Sequence, residues 1–575
     1  MGNLTSYLKP IYRLSIACVL FFTACANPVS PTGGPKDTTP PEVTKSEPAN
    51  QSVNFTSDKV TLTFSEFVSL KEISNQLVIS PPMGEQPEFT IRGKSLIMKF
   101  KEALRANTTY NFFFGDAIVD ITESNPLAGF QFTFSTGAVL DSLSVSGNLT
   151  NAFTNQPVKG AFVMLYDTIY DSIPYKERPY YLARTGASGE YSLNNLRQGN
   201  YLMFSLTDIN ADYIYNLPTE EISFSDSIIK PGFAGSPAEK PDSLTNEETT
   251  EGTTMQAPTI NLRQFREADT VQRILKASLL SENVLSLAFS CSTVSPEFKA
   301  LQPELNGHWY YESINRTRDT ITLWIPNPGA DSLTVAVSDT GMKTDTLEFS
   351  LKPRTKLTGK KQTSEPTDKK TALSIKNFLI SSRIKPDQPL VLKFSEPVIA
   401  ADFDKIQLTK DSIQIKPSIA FTDSVKTRLE LSYPWAEGST YRLILPDSIF
   451  TGAFSSVNDS TAMKFTAYSE TETGSLKVNI SIPKPGINYI VQLLGDKETL
   501  IEQHIIEDNA IVEFKYLSPK KYRLKVIIDS NKNQKWDTGR YLKKLQPEFV
   551  IYHPKEFELR SNWTMEEDWQ ITMPD

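Results

Sequence analysis

The chain has 575 residues, 39% hydrophobic, 22% charged and 10% aromatic, enough apolar material for about three to five separately packed cores. Lys and Arg total 59 against 67 Asp and Glu, a net charge of −8 that argues against broad nucleic-acid binding. No apolar run reaches the length of a spanning helix, which excludes a multipass helical membrane protein, and three His and three Cys leave little material for metal-dependent or nucleophilic catalysis.

The chain opens MGNLTSYLKPIYRLSIACVLFFTACAN. Lys9 and Arg13 make a positive start, Leu14 to Phe22 an apolar stretch, and Phe22-Thr23-Ala24-Cys25 closes it on small residues, the layout of an export signal. The segment resembles a bacterial lipoprotein signal, in which a cysteine after small residues becomes the lipidated first residue of the mature chain. The resemblance implies a signal peptide over 1–24, an acylated Cys25 and membrane lipid as a partner. Cys18 lies inside the apolar run and does not fit, and Phe22 stands where Leu is commoner. An ordinary cleaved signal peptide, or a buried helix at this end of the chain, is the alternative. Several acyl chains, at about 0.8 kcal/mol per buried methylene, would make the anchoring effectively permanent. Apart from that anchor only Cys291 remains, so the monomer forms no internal disulfide. Residues 25–39, rich in Pro, Gly and Thr, read as a flexible tether.

Beyond the tether the chain repeats itself. Val60-Thr61-Leu62-Thr63-Phe64-Ser65-Glu66 matches Leu390-Val391-Leu392-Lys393-Phe394-Ser395-Glu396; Asn107-Thr108-Thr109-Tyr110 matches Gly438-Ser439-Thr440-Tyr441; Phe132-Thr133-Phe134 matches Phe465-Thr466-Ala467. The offsets are 330, 331 and 333, and each stretch alternates apolar and polar residues as half-buried strands do. Phe64, Tyr110, Phe112 and Phe132 are expected to face inward. A second pair lies behind the first: Gly199-Asn200-Tyr201-Leu202-Met203-Phe204 followed by Asp208 matches Lys520-Lys521-Tyr522-Arg523-Leu524-Lys525 followed by Asp529, at an offset of 321. Two kinds of β unit are therefore each used twice. The expected boundaries are 40–138 and 139–234 for the first pair, and 374–472 and 473–575 for the second. A middle β domain spans 266–353, and polar linkers, expected to be flexible, cover 235–265 and 354–373.

The stretch 40–137, with PPEV, LTFSEFV, LRANTTYNFFFGDAIVD and FQFTFSTG, resembles the bacterial Ig-like domain; 375–470 is a more worn version. The stretch 140–230, with VSGNLTNAFTNQPVKGAFVMLYD and ARTGASGEYSLNNLRQGNYLMF, resembles the carboxypeptidase-regulatory or transthyretin-like β-sandwich, with 474–570 a divergent copy. The arrangement looks like Ig-like-domain lipoproteins of Bacteroidota. The resemblance implies an all-β string of tandem β-sandwich domains, Ig-like and transthyretin-like, on an N-terminal lipoprotein tether, with no catalysis attached to either unit.

Asp529, Asn531, Asn533 and Asp537 place oxygen donors at positions 1, 3, 5 and 9 of a loop, the spacing of a calcium site. Asp208, Asn210, Asp212 and Asn216 repeat it. Position 6 is Gln534 rather than Gly and position 12 is Arg540 rather than Glu, so an Asx-rich turn capping its own amides is the competing reading. Triplets of Asp, then Ser or Thr, then an apolar residue or Thr recur from Asp37 to Asp459; roughly two or three are expected from composition. They resemble an O-glycosylation sequon of exported Bacteroidota proteins, and the same pairs also favour turn-to-strand junctions. His308-Trp309-Tyr310-Tyr311 and Trp324 offer rings that could stack on sugar, though a core role is the commoner fate of such residues. Cys291 is expected to be a buried apolar residue, His504 and His553 isolated, and Glu66 and Glu396 solvated strand-edge charges.

The expectation that follows is a non-enzymatic outer-membrane lipoprotein, a scaffold for envelope or outer-membrane proteins and without a nucleic-acid partner. A surface adhesin that binds glycan is the alternative.

Overall fold

The computed structural model describes residues 36–233, 256–351 and 372–573; Cys25 and linker residues 235–255 and 354–371 lie outside the described residues. The chain is 47% strand and 3% helix, the all-β, tandem-sandwich architecture that its short alternating runs call for. Among the described residues five domain cores follow one another.

The N-terminal domain pairs Val43–Glu47, Lys59–Phe64, Ser95–Lys99 and Glu88–Arg92 in one sheet, and Val78–Ser80, Thr109–Phe113 and Gln131–Ser135 in another. Phe64, Tyr110, Phe112 and Phe132 all enter the core between them. The fourth domain uses the same plan: Leu390–Phe394 lies between Ile375–Asn377 and Arg428–Ser432, as Lys59–Phe64 lies between its neighbours. One register moves: Tyr110 pairs with Phe134 and Tyr441 with Phe465, so Phe465 takes the place of Phe134, not of Phe132 as the sequence match aligns it. Single bonds recur even so. The Tyr110 hydroxyl accepts the Arg105 N–H at 2.9 Å and the Tyr441 hydroxyl accepts the Ala436 N–H at 2.7 Å, while each ring stacks about equally closely, Tyr110 on Phe134 at 5.7 Å and Tyr441 on Phe465 at 5.5 Å. Each tyrosine thus fills the core with its ring and ties a loop with its hydroxyl. Glu396 differs from expectation. It is 4% exposed and accepts the Phe454 N–H at 2.6 Å and the Ser456 hydroxyl, because Gly452 leaves room for its carboxylate; its repeat-mate Glu66 is half-buried.

The second and C-terminal domains share the other plan. Leu143–Asn151 pairs with Glu190–Leu196 on one side and in parallel with Leu262–Gln264. Gly474–Ser481 pairs with Ala510–Leu517 and in parallel with Trp563–Gln570. The second sheets are Tyr181–Arg184, Phe162–Tyr166, Leu202–Thr207 and Glu221–Phe224, and Leu500–Ile506, Asn488–Leu494, Lys521–Asp529 and Val550–Tyr552. Gly189, at φ +79°, makes the turn into Glu190–Leu196 with its Cα against the Leu149 carbonyl, where no Cβ fits. Two linker boundaries move. Residues 256–265, assigned by composition to the linker 235–265, run back onto the second domain, where Leu262 and Phe265 are buried; Leu373 at the end of 354–373 is in the fourth core. Both segments carry apolar residues that local polarity concealed.

In the middle domain the sheet Ile274–Ser281, Val284–Phe289, Thr320–Trp324 and Tyr311–Ile314 faces the sheet Glu297–Gln302, Ser332–Ser338 and Asp345–Ser350.

The domains do not form an open string. All five residues of Phe162–Tyr166 are buried, so this strand is covered on both faces. Val163 and Leu165 fill the core of the second domain; Phe162, Met164 and Tyr166 form a second cluster with Val78 of the N-terminal domain and Tyr541 of the C-terminal domain. The middle domain meets the fourth where Trp324 Nε1–H donates to the Ser395 carbonyl at 3.0 Å, and Lys385 of the fourth domain pairs with Glu502 of the C-terminal domain at 2.6 Å. The backbone joins the second domain to the middle one, and contacts complete a circuit from the middle domain through the fourth to the C-terminal domain and back to the second.

Candidate functional site

The Asp529 loop leaves the end of Lys521–Asp529 and returns at Val550–Tyr552. Asp529 is fully buried; its Oδ1 accepts the Asn533 N–H at 3.0 Å, its Oδ2 the Gln534 N–H at 2.8 Å and the Asn488 amide at 3.1 Å. The amide nitrogens of Asn531 and Asn533 both donate to Asp537 Oδ2. The structure thus brings the four spaced donors together, each engaged by the loop itself. Among the described residues no three His, Cys, Asp or Glu side chains are placed to share one ion.

Spacing did not reveal the residue that closes the loop. Glu548 accepts the Ser530 N–H at 2.8 Å with one oxygen and the Asp537 N–H at 3.0 Å with the other. Burial holds its carboxyl above the ordinary value, with Asp537 and Asp529 adding to the effect. In the twin loop, Glu220 does the same from full burial, taking the Ile209 N–H at 3.3 Å and the Asn216 and Leu217 N–H groups at 3.1 and 3.0 Å. The two glutamates grip loop positions 2 and 9 in both copies. Because they lie at different distances along the chain from their loops, a fixed-offset comparison does not align them.

The Asp529 loop also carries the contact between the repeated domains. The Tyr541 ring lies 4.9 Å from Phe204 and 5.1 Å from Phe224, both in the second domain. Thr538 Oγ1 donates to the Arg266 carbonyl at 2.6 Å and the Tyr541 N–H to Glu267 at 2.6 Å. Gly539 sits against Phe265, where a Cβ would come within 2.5 Å of the ring. The second domain reciprocates: Phe153 packs on Trp536 at 5.0 Å, and the Asn155 amide donates to the Val550 carbonyl at 2.7 Å. Lys525, 4% exposed, holds its ammonium 4.1 Å from the Phe153 ring, and burial pushes its pKa down.

The aromatic candidates serve mainly as packing. Trp324 is 7% exposed; Trp309 and Tyr310 are half-buried against the middle core, Tyr310 edge-on to Phe298 at 5.6 Å. Tyr311 is half-buried and His308 exposed. Cys291 is half-buried, its thiol donating to the Asp269 carbonyl at 2.8 Å. His504 pairs with Glu502 at 3.0 Å, and His553 is buried against Trp569 and Phe557. The Ser and Thr of the Asp-Ser/Thr triplets are exposed wherever described, except the half-buried Ser172 and Thr320. Several of the aspartates cap nearby amides, as Asp37 caps Thr39 at 2.9 Å and Asp269 caps Val271 at 3.0 Å.

Residues 37–136 match the family model of the bacterial Ig-like domain, which defines the class of that domain: this is a tandem β-sandwich protein with an Ig-like unit at 37–136. No curated protein matches the chain. Among solved structures the chain is similar to a variant of BcpA, the major pilin subunit of Bacillus cereus, at 10% identity over 74% of this chain and 98% of that one, with a TM-score of 0.14. It is also similar to domains 1–6 of the surface layer protein SbsC, at 9% identity over 90% and 67% with a TM-score of 0.14. A third is the Bacillus anthracis TIE protein, at 9% identity over 94% and 76% with a TM-score of 0.12. Likeness at this level carries no functional implication.

Proposed function

We propose that the chain is a non-enzymatic scaffold of the bacterial cell envelope, held at the outer membrane by acyl chains on Cys25 and docking on other envelope proteins as an accessory subunit of a membrane complex. The observation that supports this reading is the reciprocal packing of the second and C-terminal domains. The acidic and aromatic residues with the most chemical promise cap loops and fill seams between domains, so the chain becomes one body that offers surfaces rather than a reaction centre. The glycan-binding alternative calls for an open aromatic platform at Trp309 and Trp324, and Trp324 is instead closed into the seam with Ser395.

Extraction of tagged protein in mild detergent is expected to bring outer-membrane proteins with it; elution of the chain alone would overturn the scaffold. Labelling with radioactive palmitate is expected to mark the wild type and not Cys25→Ala.

A structural Ca²⁺ at Asp529, Asn531, Asn533 and Asp537 is a separate proposal. It rests on donor spacing and on Glu548, and it requires the two Asn amides to turn their oxygens inward, because Ca²⁺ takes six to eight oxygen ligands. Added Ca²⁺ is then expected to raise the melting temperature and EDTA to lower it; an unchanged melting curve would leave the loop a turn.

A further inference from the structure

A cleft of about 940 Å³ runs between the middle and fourth domains. One wall is the strand Tyr311–Ile314, last in its four-stranded sheet and, among the described residues, paired only with Thr320–Trp324. Its far side therefore presents backbone N–H and C=O groups to the cleft with no neighbouring strand among the described residues. All four of its residues are half-buried. The opposite wall is Pro397, Val398 and Ile399, backed by the turn Asp423–Lys426, and Ile399 is 50% exposed. The Trp324–Ser395 bond sets the two walls against each other.

Exposed strand edges are usually blunted with lysine, proline or a bulge, because an open edge is a template for another strand. Tyr311–Ile314 pairs with its neighbour in unbroken register and carries neither lysine nor proline, so only its shortness and one acidic side chain guard it. Its one charged residue is Glu312, whose Oε2 is buried without a hydrogen-bond partner. Leaving a carboxylate oxygen buried and unpaired is unfavourable until a donor reaches it. The other acid of the cleft, Asp423, is already engaged by the Thr427 and Arg428 N–H groups, each at 2.8 Å. A strand added at an open edge gains affinity from main-chain bonds and specificity from the side chains it meets. Of the cleft's charges, Lys426 lies exposed to water on the opposite wall, whereas Glu312 holds an oxygen buried without a donor, so a cation gains most at Glu312.

We propose that the Tyr311–Ile314 edge receives an extended, basic segment of a partner polypeptide as a fifth strand of the sheet, with a Lys or Arg of that segment on Glu312. This rests on the scaffold reading and names the kind of partner.

The test uses the full chain in detergent and two fluorescent peptides, one alternating Lys with Val and the other Glu with Val, followed by anisotropy and by amide exchange. The Lys peptide is expected to bind more tightly by on the order of tenfold or more and to slow exchange of the Tyr311–Ile314 amides. Glu312→Gln is expected to lose most of that affinity without lowering the melting temperature, since it removes a buried unpaired charge. Equal binding of the two peptides, unchanged exchange at the edge, or full affinity in Glu312→Gln would each overturn the proposal. So would edge amides that are protected without peptide and released when the lysines of 352–371 are replaced by Ser, since the occupant would then be the chain's own linker. If the peptide fails to bind while envelope proteins still co-purify, this groove is removed and the scaffold stands; if the peptide binds and nothing co-purifies, the scaffold reading fails alone.

Discussion

Tyr541 belongs by sequence to a loop and by burial to a core: it is 2% exposed, among Phe204, Phe224 and Tyr175 of a domain more than three hundred residues earlier in the chain. Tyr541→Ala should therefore behave as a core truncation, costing about 3–5 kcal/mol, while Tyr541→Phe, which keeps the ring, should cost little; thermal unfolding of the full chain compares them. His553 allows a second test at this scale. It is 6% exposed, packed edge-on to Trp569 at 5.0 Å, and its Nδ1 accepts the Lys555 N–H at 3.1 Å. That bond needs an unprotonated Nδ1, and burial lowers the pKa below 6.5, partly opposed by the Lys555 carbonyl and Glu567. The unfolded chain then binds the proton more readily, so stability is full above the ordinary histidine pKa and declines as pH falls below it. The melting temperature is expected to drop on acidification from pH 7 to 5, and less steeply in His553→Gln.

At the scale of elements the repeats hold in structure as well as in sequence. Matched strands take matched places, and matched tyrosines tie matched loops. Glu220 and Glu548 extend the correspondence beyond what alignment at a fixed offset shows. Removing the staple should loosen a loop without unfolding a domain. In Glu220→Ala, the Ile209, Asn216 and Leu217 amides lose their acceptor, at a cost of about 1–3 kcal/mol, and should exchange with solvent faster while those of Phe162–Tyr166 do not. Equal acceleration in both places would mean that Glu220 supports the whole domain rather than its loop.

For the whole molecule the decisive contacts span the greatest sequence distance, such as Asn155 with Val550, 395 residues apart. Closing such loops costs entropy that grows only slowly with length, so a few buried aromatics and hydrogen bonds can hold the circuit shut. Small-angle scattering of the full chain should report a compact particle, and Phe153→Ala combined with Tyr541→Ala should increase the radius of gyration by releasing the C-terminal domain from the second. An unchanged radius in the double variant would show that the contacts through the middle and fourth domains suffice.

The sequence by itself determined the all-β class, the two repeated units and the inward face of the strands, because alternation of apolar and polar residues is a local pattern that survives duplication. Spacing also brought Asp529, Asn531, Asn533 and Asp537 into view as one loop. It could not show that Glu396 is buried, that residues 256–265 complete the second domain, or that Glu548 closes the loop, since each depends on what another segment places beside it. Nor could it show that the chain folds back on itself. Phe162–Tyr166 is an apolar run whether one face is covered or two, and only the docking of Tyr541 and Val78 onto its outer face distinguishes a closed body from a string.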